Sequence, residues 1–132
     1  MATGRCQCGA IRYETTGDPA YSAVCHCKDC RASAGAPMVG WALFPEDAVT
    51  IVGEAARYQS SQNATRHFCG TCGTGLFYTN SVSFPGMIDI QTATLDDPAA
   101  FPPQAQIQMD DALPWIADTH ALPTFARYPE GP

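Results

Sequence analysis

Seven cysteines in 132 residues form three short clusters, and their spacing constrains this chain more than any other feature. In chain order they are Cys6 and Cys8, then Cys25, Cys27 and Cys30, and finally Cys69 and Cys72. An odd number of cysteines in a chain without an apolar leader argues against a disulfide framework. The clusters therefore predict metal binding or thiol chemistry.

The first and third clusters together supply four thiolates, which are enough to close a tetrahedral metal site. Both pairs lie in glycine-flanked turns that lead into strands, and we expect Gly9, Gly70 and Gly73 to allow positive φ there. Closing a loop of about sixty residues stabilises the fold by roughly 3–5 kcal/mol. We predict a structural zinc. An iron centre is the alternative, although such centres normally take two Cys-x-x-Cys pairs.

The middle cluster supplies three thiolates, so a tetrahedral ion bound there keeps one open position, which is typical of catalytic sites. A helix predicted over Lys28–Ala34 would hold Cys30 in its first turn. Two alternatives remain. A fourth ligand would close the site, or the three thiols form a metal-free redox cluster. The candidates for a fourth ligand are His26, Asp29, His67 and His120.

Three thiolates place substantial negative charge on a divalent ion and lower its Lewis acidity, so this site is a poor generator of hydroxide. Such an ion better accepts an exogenous thiol and holds it as a thiolate that attacks an electrophile. We therefore predict two zinc ions per chain, one structural and one that activates a thiol.

The composition of the chain limits the kinds of binding partner that we expect. The formal charge is −6 and the seven Lys and Arg residues are scattered, so neither nucleic acid nor anionic lipid is expected to bind. We predict a small-molecule partner. The length predicts a single domain over residues 1–132. The start of the chain contains no apolar leader, so we predict a cytoplasmic location.

Short alternating or β-branched segments predict an all-β fold. The predicted strands are Ala10–Thr16, Met38–Phe44, Val49–Val52, Arg57–Ser60, Thr65–Phe68, Gly75–Thr79, Met87–Thr94 and Gln104–Met109. A short turn is expected at Asp97–Phe101. The proline-containing tail from Asp110 to Pro132 is expected to be extended or irregular. We expect the tail to pack on the body through Leu113, Trp115, Ile116, Leu122 and Phe125.

The order Cys-x-Cys-Gly, Cys-His-Cys-x-x-Cys-Arg and Phe-Cys-x-x-Cys-Gly resembles the glutathione-dependent formaldehyde-activating (GFA) enzymes and the related CENP-V domain. The similarity extends to Arg66-His67-Phe68-Cys69, Leu76-Phe77-Tyr78 and Asp110-Asp111-Ala112-Leu113-Pro114-Trp115. It implies a single all-β domain of the β-tent type. It also implies a structural zinc at Cys6, Cys8, Cys69 and Cys72 and a catalytic zinc at Cys25, Cys27 and Cys30.

The resemblance implies an activity as well, the joining of glutathione to formaldehyde as S-(hydroxymethyl)glutathione, classed in reverse as carbon–sulfur lysis. Glutathione is anionic, so we expect a cationic anchor, with Arg31 the first candidate and Lys28 and Arg66 next. Trp115 is a candidate wall of the substrate pocket, and His26 is a candidate acid–base residue. The alternative function is a non-catalytic, zinc-stabilised binding module.

Overall fold

Ten short β-strands and one α-helix are present in residues 1–129, the part of the chain that the computed structural model describes. The strands are β1 (Ala2–Arg5), β2 (Arg12–Thr15), β3 (Tyr21–Cys25), β4 (Val39–Pro45), β5 (Val49–Val52), β6 (Ala56–Gln59), β7 (Ala64–Phe68), β8 (Gly75–Asn80), β9 (Met87–Gln91) and β10 (Ala105–Ile107). Helix α1 is Lys28–Ala34, and short 3-10 turns are Glu46–Ala48, Thr92–Thr94, Pro98–Ala100, Met109–Asp111 and Pro114–Ala121.

The strands form two sheets. A three-stranded sheet has the order β1-β2-β5, and a seven-stranded sheet has the order β10-β3-β4-β9-β8-β7-β6. Neighbouring strands are antiparallel, except that β10 runs parallel to β3. The predicted all-β, single-domain class is confirmed. No helix within residues 1–129 has the length and apolar character needed to cross a membrane.

The hydrophobic core lies on one face of the large sheet. Ile88 and Ile90 alternate along β9 toward this face, where they pack with Phe77 of β8 and with Tyr13 of the small sheet. The rings of Tyr13 and Phe77 meet edge to face, with 5.3 Å between their centroids. Each fully buried side chain of this size contributes about 1.5–3 kcal/mol. The opposite face of the large sheet is left for helix α1 and for the residues described below.

All eight predicted strands are present. Val49–Val52 and the helix over Lys28–Ala34 have the predicted bounds, and the ends of the other predicted strands differ from those observed by at most three residues. Strands β1 and β3 were missed. Each is only four or five residues long, and β3 runs directly into the middle cysteine cluster. Pairing with neighbouring strands, rather than local pattern, makes them strands.

The prediction for the tail is confirmed only in part. Residues 122–129 are irregular as expected, but 3-10 turns are present at Met109–Asp111 and Pro114–Ala121. Of the five residues expected to pack on the body, Leu113 and Ile116 are half-buried. Trp115, Leu122 and Phe125 expose 51%, 58% and 54% of their surface and do not pack as expected. Proline at the start of the longer turn fits the first position of a helical turn, where its missing N–H costs no hydrogen bond. The last three residues of the predicted tail, 130–132, lie outside the described residues.

Candidate metal centres and the adjoining cavity

The first and third cysteine clusters come together as predicted. The sulfurs of Cys6, Cys8, Cys69 and Cys72 all lie within 4.8 Å of one another. The Cys6–Cys8 and Cys8–Cys69 sulfur pairs are each 3.7 Å apart. Tetrahedral coordination with metal–sulfur bonds of about 2.3 Å gives sulfur–sulfur edges of about 3.8 Å. This cluster therefore fits a four-coordinate metal ion.

Two similar turns present these four sulfurs. Gly9 and Gly73 both have φ of 81°, a conformation that residues with a Cβ rarely adopt. The amide of Gly9 donates to the carbonyl of Cys6 at 3.1 Å, and the amide of Gly73 donates to that of Cys69 at 2.8 Å. Gly70 does not need positive φ, contrary to expectation. The two turns therefore share a geometry that the glycine spacing only partly predicts.

Hydrogen bonds to sulfur lower the pKa of two cysteines of this cluster, Cys6 and Cys72, whereas burial and the neighbouring thiols raise the pKa of Cys8 to about 11. The amide of Ile11 donates to Cys6 Sγ at 3.2 Å. Hydrogen bonds from the hydroxyl and backbone of Thr74 lower the pKa of Cys72 to about 5. Donors aimed at sulfur favour the charged form and orient the ligand.

The middle cluster is assembled by the end of β3 and the start of α1. The sulfurs of Cys25, Cys27 and Cys30 lie within 4.8 Å of one another. Cys27 caps the helix, because its sulfur accepts the amide N–H of Cys30 at 3.2 Å. Within residues 1–129, no histidine or carboxylate joins these three sulfurs. The arrangement offers an ion three protein ligands.

The four residues considered as a further ligand have other surroundings. His26 is fully buried, and its Nε2 pairs with a glutamine side chain of β10 at 3.1 Å. His67 Nε2 pairs with the hydroxyl of Thr79 at 3.2 Å. Asp29 and His120 are exposed and do not join the three sulfurs. His26 also lies outside the lining of the cavity described below, so nothing there supports its predicted acid–base role.

The three thiols of the middle cluster do not share one direction of pKa shift. Burial raises the pKa of Cys25 to about 12 and also raises the pKa of Cys30. Burial also acts to raise the pKa of Cys27, but hydrogen bonds from the Cys30 amide and the neighbouring thiols outweigh it, and the net shift is downward. Ionising all three thiols therefore requires a positive charge at their centre, which a divalent metal ion supplies. The donor set fits a metal.

Arg66, rather than Arg31, is the basic residue that contacts the middle cluster. Its Nη2 lies 3.7 Å from the sulfur of Cys30, and its Nη1 donates to Ser33 Oγ at 3.1 Å. The guanidinium also lies 4.9 Å from the centroid of the Tyr78 ring. These contacts fix the charge of Arg66 beside the thiols.

The other predicted anchors are placed differently. Lys28 is exposed, Arg31 is half-buried, and neither lines the cavity beside the middle cluster. Trp115 also lies outside that lining.

That cavity has a volume of about 360 Å³. Its lining includes all three cysteines of the middle cluster and none of the other four. The walls are largely apolar and aromatic, and they include Tyr21, Trp41, Leu43, Tyr78, Phe84 and Ile107. Asp89, which the sequence analysis did not select, also lines it. In the sequence, Asp89 could have been selected only as a single carboxylate within the alternating strand Met87–Gln91. That pattern fits a solvent-facing position equally well.

An all-β domain with a four-cysteine cluster at the margin of its core and a three-cysteine cluster in a cavity defines a class of small proteins with two candidate metal centres. Residues 1–111 match the family described as glutathione-dependent formaldehyde-activating enzyme, and the chain belongs to this family. The resemblance inferred from the cysteine motifs is thereby confirmed.

The proteins similar to this chain include one named relative and one of known structure. An uncharacterized lyase of Schizosaccharomyces pombe is 33% identical over 79 residues, which are 58% of this chain and 58% of the relative's length. A crystal structure of a Rhodobacter sphaeroides protein matches with a TM-score of 0.63 and 23% identity, over 79% of this chain and 98% of that one. At 23% identity, the similarity to the Rhodobacter sphaeroides protein is evidence for a shared fold.

Proposed function

We propose that this protein is a zinc-dependent enzyme of the carbon–sulfur lyase type. It binds glutathione at the three-cysteine centre and adds the thiol to, or releases it from, formaldehyde or a similar small electrophile. The observation that carries the proposal is the asymmetry of the two clusters. Cys25, Cys27 and Cys30 line a cavity, whereas the four-cysteine cluster has no part in it. The family description and the name of the yeast relative as a lyase support the reaction class.

In this proposal each cluster has its own zinc and its own role. Zinc is favoured because thiolates are soft ligands that suit a tetrahedral ion without a redox function. The four-cysteine zinc is structural. It joins turns that are 61 residues apart in sequence, as measured between Cys8 and Cys69. The three-cysteine zinc, bound by Cys25, Cys27 and Cys30, is catalytic.

The chain's own residues then perform two tasks beside that of the metal. A zinc ion held by Cys25, Cys27 and Cys30 would supply an open position that favours the thiolate form of a bound thiol, whose proton ends on the hydroxyl oxygen of the adduct. Arg66 balances the thiolate charge of Cys30 and is itself fixed by Ser33. Trp41 and Leu43 exclude water from the reacting sulfur, which strengthens electrostatic interactions inside the cavity.

The size of the cavity suits a small thiol and a small aldehyde. A volume of about 360 Å³ lies at the lower end of the range of roughly 300–1,000 Å³ for small-molecule sites. Of the basic residues predicted to anchor glutathione, Arg66 is the one that lines the cavity. A cytoplasmic location and the absence of nucleic-acid and membrane partners stay predictions.

Cobalt substitution tests the open position directly. The visible absorption bands of a cobalt ion report the number of sulfurs bound to it. Titration of glutathione into the dicobalt protein should therefore shift the bands of the three-cysteine centre and leave those of the four-cysteine centre unchanged. Cys27→Ser should abolish the shift while retaining the bands of the four-cysteine centre. If glutathione changes neither set in the unmodified protein, the thiol-binding proposal is wrong.

A kinetic assay tests turnover. Glutathione and formaldehyde combine spontaneously, so the zinc protein should raise the rate of S-(hydroxymethyl)glutathione formation in proportion to enzyme concentration. Cys27→Ser should return the rate to the uncatalysed background. Thiol binding without any increase in rate would instead identify a non-catalytic binding module.

A further inference from the structure

Asp89 is a carboxylate in the middle of a sheet face. It lies on β9, between Leu43 of β4 and Tyr78 of β8 in register. Its neighbours Ile88 and Ile90 point into the core, so Asp89 lies on the opposite face, where it lines the cavity. The central position of β9 in the seven-stranded sheet leaves this carboxylate half-buried among largely apolar walls.

No cation within residues 1–129 compensates Asp89. Burial raises its pKa to about 6, and no hydrogen bond or neighbouring charge contributes to that shift. Arg66 is the one basic residue in the described lining, and it is already engaged with Cys30, Ser33 and the ring of Tyr78. An uncompensated carboxylate in an apolar cavity costs folding free energy, and a positively charged ligand would recover part of that cost.

The register also gives the approximate separation of Asp89 from the middle cysteine cluster. Cys25 pairs with Val39, and Asp89 pairs with Leu43, so the two positions differ by four residues along β4. Four residues of strand, about 14 Å, combine with the two inter-strand spacings of about 4.8 Å between β3 and β9 to give about 17 Å between the two backbones. In glutathione, eight bonds join the sulfur of the central cysteine to the ammonium of the glutamyl residue, a reach of roughly 10 Å when extended. The side chains of Cys25 and Asp89, which both line the cavity, span part of the remaining distance. A tripeptide thiol with its sulfur at the cysteines therefore extends toward Asp89.

We propose that Asp89 anchors a primary ammonium group of the thiol substrate, at the end of the cavity opposite the three cysteines. This inference rests on the proposed function, because it assumes that the substrate's sulfur sits at the three-cysteine centre. The low-polarity walls strengthen the attraction between carboxylate and ammonium. Asp89 thereby selects an amine-bearing thiol over a simple one and fixes its direction in the cavity.

The test compares two ligands and two variants by calorimetric titration of the zinc protein. The ligands are glutathione and glutaryl-cysteinyl-glycine, the same tripeptide without its amine. A charge-assisted hydrogen bond contributes about 1.5–3 kcal/mol, so the unmodified protein should prefer glutathione by roughly 10–150-fold. Asp89→Asn preserves the shape of the side chain and should reduce this preference to within about threefold. Asp118→Asn, at an exposed position of the tail, is the matched control and should retain the full preference.

The outcomes separate this inference from the proposed function. If the unmodified protein binds both ligands with equal affinity, thiol binding stands and the ammonium anchor is wrong. The same conclusion follows if Asp89→Asn keeps the full preference for glutathione. If neither ligand binds, the proposed function fails and the anchor fails with it. The ligand comparison needs no mutation, so it remains decisive even if Asp89→Asn does not fold.

Discussion

The guanidinium of Arg66 contacts the sulfur of Cys30 at 3.7 Å, although the two residues are 36 positions apart in sequence. Arg66 comes from β7, near one edge of the large sheet, and Cys30 from helix α1. The contact brings a permanent positive charge to a buried thiol whose pKa burial raises. Arg66 therefore favours the thiolate form of Cys30, which is the form that binds metal.

Removing that charge should weaken metal binding at the three-cysteine centre. Arg66→Gln is expected to lower zinc affinity there by about 10–100-fold, as is usual when a group supporting a ligand is lost. Competition with a chromophoric chelator measures this, and the four-cysteine centre should be unchanged. Arg57→Gln, at an exposed arginine of the neighbouring strand, is the control and should have no effect. Equal loss at both centres would contradict the assignment.

The two clusters should differ in what they contribute to stability. Cys69→Ser removes a buried cysteine of the four-cysteine cluster and should cost several kcal/mol of unfolding free energy, because the binding of the proposed structural metal would be coupled to folding. Cys27→Ser should cost no more than about 1–2 kcal/mol, since half-buried Cys27 belongs to the cavity. Urea denaturation in excess zinc measures both. Equal destabilisation would count against a structural role for one centre and a catalytic role for the other.

Asp89 should make stability depend on pH in a defined direction. Burial raises its pKa from 3.8 to about 6, so the folded protein keeps a proton that the unfolded chain has released. Stability therefore falls as pH rises from about 4 to 6, and the loss persists above pH 6. Allowing for partial exposure, Asp89→Asn should be more stable than the unmodified protein by about 1–2 kcal/mol at pH 8.

This advantage should shrink as the pH is lowered toward 4. The difference between the two proteins isolates Asp89, because the pH dependence of metal binding is common to both. Other titratable groups lining the same cavity are Tyr21, Asp29, Arg66, Tyr78 and the three cysteines. A difference in unfolding free energy that stays constant from pH 4 to pH 8 would show that the Asp89 carboxyl does not titrate as described.

The close packing of Gly4 against Tyr13 of the same small sheet and against the turn Thr92–Thr94 should make this position sensitive to substitution. A Cβ added there would overlap the ring of Tyr13 and lie 2.8 Å from the carbonyl oxygen of Thr94. Gly4→Ala should therefore destabilise the protein by about 1–3 kcal/mol, the usual cost of overpacking. Gly70→Ala is the matched control, since its Cβ would meet only the Cβ of Ala56 at 3.7 Å. Thermal unfolding of the two variants measures the difference, and equal midpoints would contradict the close approach.

Local sequence determines much of this protein. Helix α1 has its predicted bounds because its ends are set locally, by the sulfur of Cys27 at the start and Gly35 at the end. The cysteine spacing likewise predicts the grouping of the four-sulfur and three-sulfur clusters, since each turn brings its own sulfurs together. The pairing of the first cluster with the third is predicted by counting ligands, because a tetrahedral metal site needs four of them.

Tertiary structure decided which residues surround the three-cysteine centre. Arg31 is adjacent to Cys30 in sequence, yet Arg66 makes the contact, because strand pairing brings β7 beside β8 and the helix lies against this face. Asp89 joins the cavity only through its register with Leu43 and Tyr78. A one-residue shift in pairing would place it on the other face. Such register depends on contacts between distant segments, which the local pattern of a single strand does not contain.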